Sequence, residues 1–245
     1  RRPVRLLVVL AVDVGGAVKP HDRRRARRPR ILDLFCGAGG AAMGYYRAGF
    51  DVVGVDIVEQ PDYPFDFIRD DALRFLADMG YHAWMKFDAV HASPPCQSYS
   101  AMSNRWGSEH PELIGHVRDL MPKWKPYVIE NVDGARRDMR EPIVRLTGEM
   151  FGLRVHRPRL FELGGWFAFQ PPPRPRQSDA VAVYGPPDGR LLWTRSDGTE
   201  LRAWSSIEEG QEALGIDWTD DWHQLREAIP PAYTEWIGSQ LFAYL

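Results

Sequence analysis

The chain has 245 residues, 44% apolar and 12% aromatic, enough for one substantial core and too mixed for a collagen-like polymer. No apolar run approaches the roughly 20 residues that a membrane-spanning helix needs. The net charge of −2 hides an uneven distribution: residues 1–30 hold ten Arg or Lys against Asp13 and Asp22, which leaves about −10 for the rest. Contact with a polyanion is therefore expected only from a local basic stretch, such as Arg154 to Arg176, with five arginines against Glu162. Cys36 and Cys96 are the only cysteines. They give neither a disulfide framework nor a C-x-x-C metal spacing, which fits a reducing, cytoplasmic setting with no metal centre.

In chain order, "RLLVVLAVDVGGAV" has a basic flank, but Asp13 breaks the run and no small-residue cleavage site follows, so it does not read as a signal peptide. "HDRRRARRPR" is a charge run. Residues 1–29 are expected to form a basic, disordered N-terminal extension. From Arg30 the pattern becomes regular: "RILDLF" reads as a strand, "CGAGG" as a glycine turn and "AAMGYYRAG" as a helix closed by Gly49. "FDVVGVDI" is a second strand, "DDALRFLADMG" a helix stopped by Gly80, and "FDAVHAS" a further strand that runs into "PPCQSYS". "PELIGHVRDLMPKW" has helical spacing and "PYVIENV" is another strand.

This alternation predicts an α/β, Rossmann-like, mostly parallel sheet over residues 30–163. From Gly164 to Asp221 the chain is rich in Pro, Gly and aromatics, as in an inserted loop-rich or small β module. Residues 222–245 return to helical spacing after Pro231, with Trp236, Ile237, Leu241 and Leu245 near one face, and are expected to pack back on the first unit.

Open parallel sheets bind ligands at the carboxyl ends of their strands. Four polar clusters fall there: "FCGAGG", "VDI", "SPPCQ" and "ENV". Glycines in such a turn often serve only helix–sheet packing. Asp33, Gly37 and Gly39 followed by Asp56 at the next strand end form a nucleoside-type arrangement, in which the backbone approaches the ligand and a carboxylate accepts from ribose hydroxyls. The spacing is not G-x-G-x-x-G and no Walker lysine follows, so a nucleoside without phosphates fits better than a dinucleotide or triphosphate. Asp71 reads equally as an adenine acceptor or a helix N-cap. Cys96, stiffened by Pro94 and Pro95, reads as a buried apolar residue or as an activated thiol at the mouth of the sheet. Glu130 reads as a solvated strand end or as a proton donor across the cleft from that thiol.

Together these motifs closely resemble the DNA cytosine-5 methyltransferases, in the family's order: "DLFCGAGG", "VDI", "DDA", "SPPCQSYS", "ENV" and "HRPRLFEL". The likeness spans about residues 30 to 163 and is nearest in style to compact phage and actinobacterial versions. It implies a class I S-adenosylmethionine-dependent fold, with residues 30–163 catalytic and 164–221 recognising the target. Cys96 would be the nucleophile that adds to cytosine C6, Glu130 the group that binds and protonates N3, and Arg159, with Arg157 nearby, the group that steadies the base. S-adenosylmethionine would lie on Asp33, Phe35, Gly37, Gly39 and Gly40, with Asp56 and Ile57 at the ribose, Asp71 at the adenine and Pro94 close by. The implied substrate is a cytosine flipped out of double-stranded DNA, methylated by a monomer in a bacterial or phage-infected cytoplasm, with a restriction endonuclease or phage or host DNA as possible company. One branch of the family methylates tRNA with the same nucleophile motif, and a non-catalytic nucleic-acid-binding relative is a third reading.

The chain departs from the family pattern in three places. Val155 stands where a glutamine is usual, Glu227 and Ala228 replace a Gly-Asn pair ahead of the last prolines, and the recognition region is short.

Overall fold

The computed structural model describes residues 27–95, 113–194, 198 and 200–245. Most of the expected N-terminal extension and the segment beginning at Cys96 lie outside these residues.

A seven-stranded sheet forms the centre, in the order β3-β2-β1-β4-β5-β7-β6. β1 (Arg30–Leu34), β2 (Asp51–Asp56), β3 (Asp66–Arg69), β4 (Ala89–Ala92) and β5 (Tyr127–Val132) pair in parallel. β6 (Ile143–Leu146) and β7 (Arg159–Gly164) close the far edge, β7 running antiparallel to both β5 and β6. The α/β expectation therefore holds, with an antiparallel edge that periodicity did not announce. Strand order reverses between β1 and β4, so their carboxyl ends flank a crevice.

The central strands read as near-continuous apolar runs because both of their faces are covered. On one face Ile31, Val52, Ala89, Val128 and Phe161 pack under α1 (Gly40–Arg47) and α7 (Pro231–Tyr244). On the other, Leu32, Leu34, Val53, Val90 and Ile129 pack under α2 (Ala72–Asp78), α3 (Tyr81–Trp84) and α4 (Leu113–Leu120). Between α4 and the sheet, Arg118 reaches the buried Glu162 of β7 through two hydrogen bonds of 2.6 and 2.7 Å.

α7 lies directly on α1. A Cβ on Gly44 would collide with the Thr234 side chain and the Pro231 carbonyl, and Thr234 Oγ1 donates to the Ala41 carbonyl at 2.8 Å. The buried stripe of α7 is Tyr233, Ile237 and Leu241, whereas Leu245 is exposed. The apolar face expected from Trp236 and Leu245 is corrected by about one helical step, because Trp236 uses its indole N–H to hold the Phe169 carbonyl.

The module after β7 has its own sheet, β8 (Val181–Ala182), β10 (Glu200–Ala203) and β9 (Leu191–Thr194), in that order. It also has a helix that the loop-rich reading lacked, α5 (Ile207–Leu214), started by the Ser206 cap on the Glu209 N–H. Trp204, Val183, Leu214 and Ile216 share a small core there with Leu225 of α6 (Trp222–Glu227). Among the aromatics that follow β7, Trp166 is buried whereas Phe167 and Trp193 are exposed.

Candidate active site

The turn between β1 and α1 is held from the second strand. Asp56 accepts from the Gly37 N–H through Oδ2 and from the Val58 N–H through Oδ1, both at 3.0 Å. A carboxylate oxygen has two lone pairs, so each can still accept from a ligand hydroxyl. Gly37 takes φ +48° with open space where a Cβ would project, the geometry a ligand approaching the backbone requires. Phe35, immediately before, is also left-handed at φ 57°, an uncommon conformation for a bulky residue that marks the same turn.

Gly39 and Gly40 differ from Gly37: a Cβ on Gly39 would meet Pro64 and Tyr63 at 3.0 Å, and Gly40 is closed off more tightly still. Its missing Cβ is occupied by the Ile229 backbone, so this glycine is needed for the α1–tail contact rather than for an open cradle. Asp71 caps α2, accepting from the Arg74 N–H at 2.9 Å, and lines a shallow surface cleft together with Ile57, Arg69, Asp70 and Arg74. The cap and the cleft coexist, because the cap occupies only Oδ1.

Asp33 is fully buried below the turn. Its Oδ2 accepts from the Tyr63 hydroxyl at 3.4 Å and its Oδ1 has no hydrogen-bond partner among the described residues. Burial pushes its pKa up to about 8, since a lone carboxylate in an apolar site loses hydration without a compensating cation. Burial, with Asp33 and Asp56 close by, also drives the Cys36 thiol upward, so Cys36 stays a protonated, structural residue.

On the other side of the crevice β4 is followed by Ser93, Pro94 and Pro95. Asn131 Nδ2 donates to the Pro94 carbonyl at 2.9 Å, tying that loop to the end of β5. From below, His91 bridges the Tyr45 hydroxyl (3.0 Å, Nδ1) and the Ser93 hydroxyl (2.7 Å, Nε2). Burial lowers the His91 pKa to about 3, so this chain is neutral. Cys96 itself lies outside the described residues.

Glu130 and Arg159 meet because β7 returns antiparallel beside β5. The register pairs Glu130 with Phe161 and Val132 with Arg159, which sets Glu130 and Arg159 diagonally on one face. Arg159 Nε stands 2.9 Å from Glu130 Oε1 in ion-pair contact, not aligned as a hydrogen bond. Burial raises the Glu130 pKa, and the charges of Arg159 and Arg157 oppose the rise. Arg157 has left-handed φ 37° and is buried. Its guanidinium donates to the Val183 carbonyl at 3.2 Å and the Arg226 carbonyl at 2.6 Å, joining the sheet edge to the small module and to α6. Burial and then the charge of Arg159 lower its pKa to about 10, leaving it cationic near neutrality.

The structure thus groups Asp33, Phe35, Gly37, Gly39 and Asp56 around one turn, Ile57 and Asp71 on the adjoining cleft, and Glu130 with Arg157 and Arg159 near the tethered Pro94. The stretch Arg154 to Arg176 is not the free basic face that its composition implied. Arg154 pairs with Asp179, Glu209 and Glu212, Arg159 with Glu130, and Arg176 with Glu149. Sequence reasoning missed Tyr63, His91, Asn131 and Trp218. Trp218 Nε1 donates to the Ala38 carbonyl at 2.7 Å and so holds the glycine turn from 180 residues away. Among the described residues no His, Cys, Asp and Glu group could hold a metal ion, and no helix is long and apolar enough to cross a membrane.

A family model for C-5 cytosine-specific DNA methylase matches residues 29–145. Type II methyltransferase M.XorII of Xanthomonas oryzae pv. oryzae is 32% identical over 127 residues, which cover 44% of this chain and 29% of that protein. Type II methyltransferase M.AquIA of Picosynechococcus sp. is 31% identical over 125 residues, 43% of this chain and 49% of that protein. The chain therefore spans less than half the length of these curated relatives. Among solved structures, the Entamoeba histolytica methyltransferase EhMeth aligns over 89% of this chain and 99% of that one, with TM-score 0.58 and 12% identity. The S. pombe Dnmt2 methyltransferase aligns over the same shares with TM-score 0.56 and 14% identity, a likeness of fold.

Proposed function

We propose that this chain, whose residues 29–145 match the model of the C-5 cytosine-specific DNA methylase family, transfers a methyl group from S-adenosylmethionine to C5 of cytosine in DNA. The observation that carries this reading is the buried Glu130–Arg159 pair beside the Pro94 loop that Asn131 holds.

Cytosine C5 is too weak a nucleophile to attack a sulfonium methyl unaided. The Cys96 thiolate adds to C6 while Glu130 gives a proton to N3, which turns C5 into an enamine-like carbon that takes the methyl group. Loss of the C5 proton to water then expels the thiolate, and the N3 proton returns to Glu130. The raised pKa of Glu130 supports a role that needs the carboxyl protonated, and the nearby guanidinium keeps it within reach of ionisation. Arg159 steadies both the carboxyl and the base.

S-adenosylmethionine supplies the electrophilic methyl when bound. The residues present fit it: Asp33 has an unpartnered buried oxygen, Gly37 leaves open space and Asp56 has acceptor capacity. Phe35 and Ile57 give apolar contact and Asp71 lies on the adjoining cleft. Gly39 shapes the turn, and Pro94 borders it from the opposite strand end. Residues 164–221 act as the target-recognition region and 222–245 as the segment that completes the catalytic unit. The enzyme works as a cytoplasmic monomer on a flipped base in duplex DNA, extrusion costing a few kcal/mol that pocket contacts offset, beside a restriction endonuclease or on phage or host DNA.

The test incubates the protein with labelled S-adenosylmethionine and either mixed-sequence duplex DNA or tRNA. Label in C5 of DNA cytosine is expected, with a covalent adduct on 5-fluorocytosine DNA that Cys96→Ser abolishes. Folded protein that labels only tRNA, or neither, would end the DNA reading.

A further inference from the structure

Tyr45 of α1, His91 of β4 and Ser93 form a hydrogen-bonded series beneath the crevice, and none of the steps described above uses it. Tyr45 and His91 are fully buried. The Tyr45 ring is fixed by its neighbours: it meets the His91 ring at 5.2 Å and the Phe50 ring at 5.9 Å, and a Cβ on Gly238 of α7 would lie 2.9 Å from its Cδ1. Proton count sets the direction of the series. The Tyr45 hydroxyl has no other hydrogen-bond partner among the described residues, and a buried O–H needs an acceptor, so its proton goes to His91 Nδ1 at 3.0 Å. The neutral imidazole carries a single proton, which is left to Nε2, and Nε2 donates it to Ser93 Oγ at 2.7 Å.

Ser93 stands where strand becomes loop. Its backbone N–H donates to the Leu34 carbonyl of β1 at 3.1 Å, and the carbonyl of the next residue, Pro94, accepts from Asn131. Pro94 and Pro95 have no backbone N–H to give, so side-chain contacts must do more of the fixing here. The register sets His91 opposite Val128. Two residues further, the same count puts Ser93 level with Glu130 and on the same face of the sheet. The series therefore runs from the α1–α7 contact to the strand end beside the Glu130–Arg159 pair. An apolar side chain of similar size would fill the space of His91 without burying two ring nitrogens, so packing alone does not call for an imidazole.

We infer that His91 is a positioning residue: through the Ser93 hydroxyl it fixes the end of β4, and with it the Pro94 carbonyl, for the methyl-transfer step. The inference rests on the methyl-transfer reading and adds a residue buried beneath the site.

The experiment uses the two amides that each reproduce one nitrogen of the ring. The amide nitrogen of glutamine reaches the place of Nε2 and keeps the Ser93 contact, whereas asparagine reaches only the place of Nδ1 and keeps the Tyr45 contact. His91→Gln, His91→Asn, Ser93→Ala and the double variant of the last two are compared with the parent on an oligonucleotide that the protein methylates. Single-turnover rates are measured at saturating DNA and S-adenosylmethionine, with KM for both and a thermal melt alongside. His91→Asn and Ser93→Ala should each slow the transfer about tenfold at parental KM, within the roughly hundredfold that a small misplacement can cost, while His91→Gln stays within about threefold of the parent. The double variant should be no slower than His91→Asn. Equal losses for the two amides, a raised KM in place of a slower transfer, or a parental rate for Ser93→Ala would overturn the positioning role while leaving methyl transfer intact. Should the His91 variants fail to fold, the rate of Ser93→Ala decides alone. A parent that methylates no cytosine acceptor would end the methyl-transfer reading and this inference with it.

Discussion

Asp33→Asn tests whether the buried carboxyl below the glycine turn is protonated in the folded protein. The folded state holds that proton up to a pKa of about 8, against 3.8 for an ordinary aspartate. Between these values the folded chain carries a proton that the unfolded chain has lost, so Asp33 favours folding at low pH and withdraws that favour as pH rises towards 8. Each pH unit is worth about 1.4 kcal/mol. His91 acts in the opposite sense: its folded pKa of about 3 lies below the ordinary 6.5, so its contribution grows as pH climbs from 3 to 6.5. The two slopes nearly cancel from pH 4 to 6.5, which leaves Asp33 alone above 6.5. Over pH 6.5 to 8 the parent should therefore lose about 2 kcal/mol relative to Asp33→Asn, the other titrating groups cancelling in the difference. Urea unfolding followed by tryptophan fluorescence at three pH values measures that difference. Parallel stability curves for parent and variant would refute the buried, protonated carboxyl.

Further outcomes follow from other contacts. Asn131→Ala leaves the Pro94 carbonyl without its donor; it should cost about 1–3 kcal/mol in urea unfolding and reduce methyl transfer, and wild-type values of both would show that the tether is idle. Glu162→Ala strands the Arg118 charge between α4 and the sheet, a loss of about 3–5 kcal/mol expected in the same assay; a change below 1 kcal/mol would mean that water reaches the pair. Gly44→Ala drives a methyl into the Thr234 side chain and the Pro231 carbonyl, and a thermal melt should report about 1–3 kcal/mol of destabilisation from overpacking. An unshifted melt would mean that α7 can move off α1 freely.

The geometry of the glycine turn was legible in the sequence because its parts are local. Strand, glycine turn and helix follow one another from Arg30 to Arg47, and Asp56 ends the next strand, so chain order alone brings Gly37 and Asp56 together. Glu130 and Arg159 were each named by resemblance, but their contact could not be built from periodicity, since it depends on β7 entering antiparallel in one particular register. The packing role of Gly40 was invisible for a related reason: a glycine in a turn looks the same whether open space or the Ile229 backbone lies where its side chain would be. Tyr63 and Trp218 carried no local signal at all. Their partners, Asp33 and Ala38, lie 30 and 180 residues away, and only the folded chain shows the pairing.

The grip of α7 and Trp218 on the first strand–turn–helix unit also constrains how the protein is made. That unit leaves the ribosome early, with the small-residue face of α1 and the carbonyls of Ala38 and Ala41 uncovered, and its partners emerge nearly two hundred residues later. Closing so long a loop is entropically expensive and slow. A nascent chain halted before Trp218 would carry the glycine turn and α1 but lack Trp218 and the α7 side chains that pack on them. The glycine turn and α1 should thus gain their packed cover only after Trp218 and Thr234 have emerged.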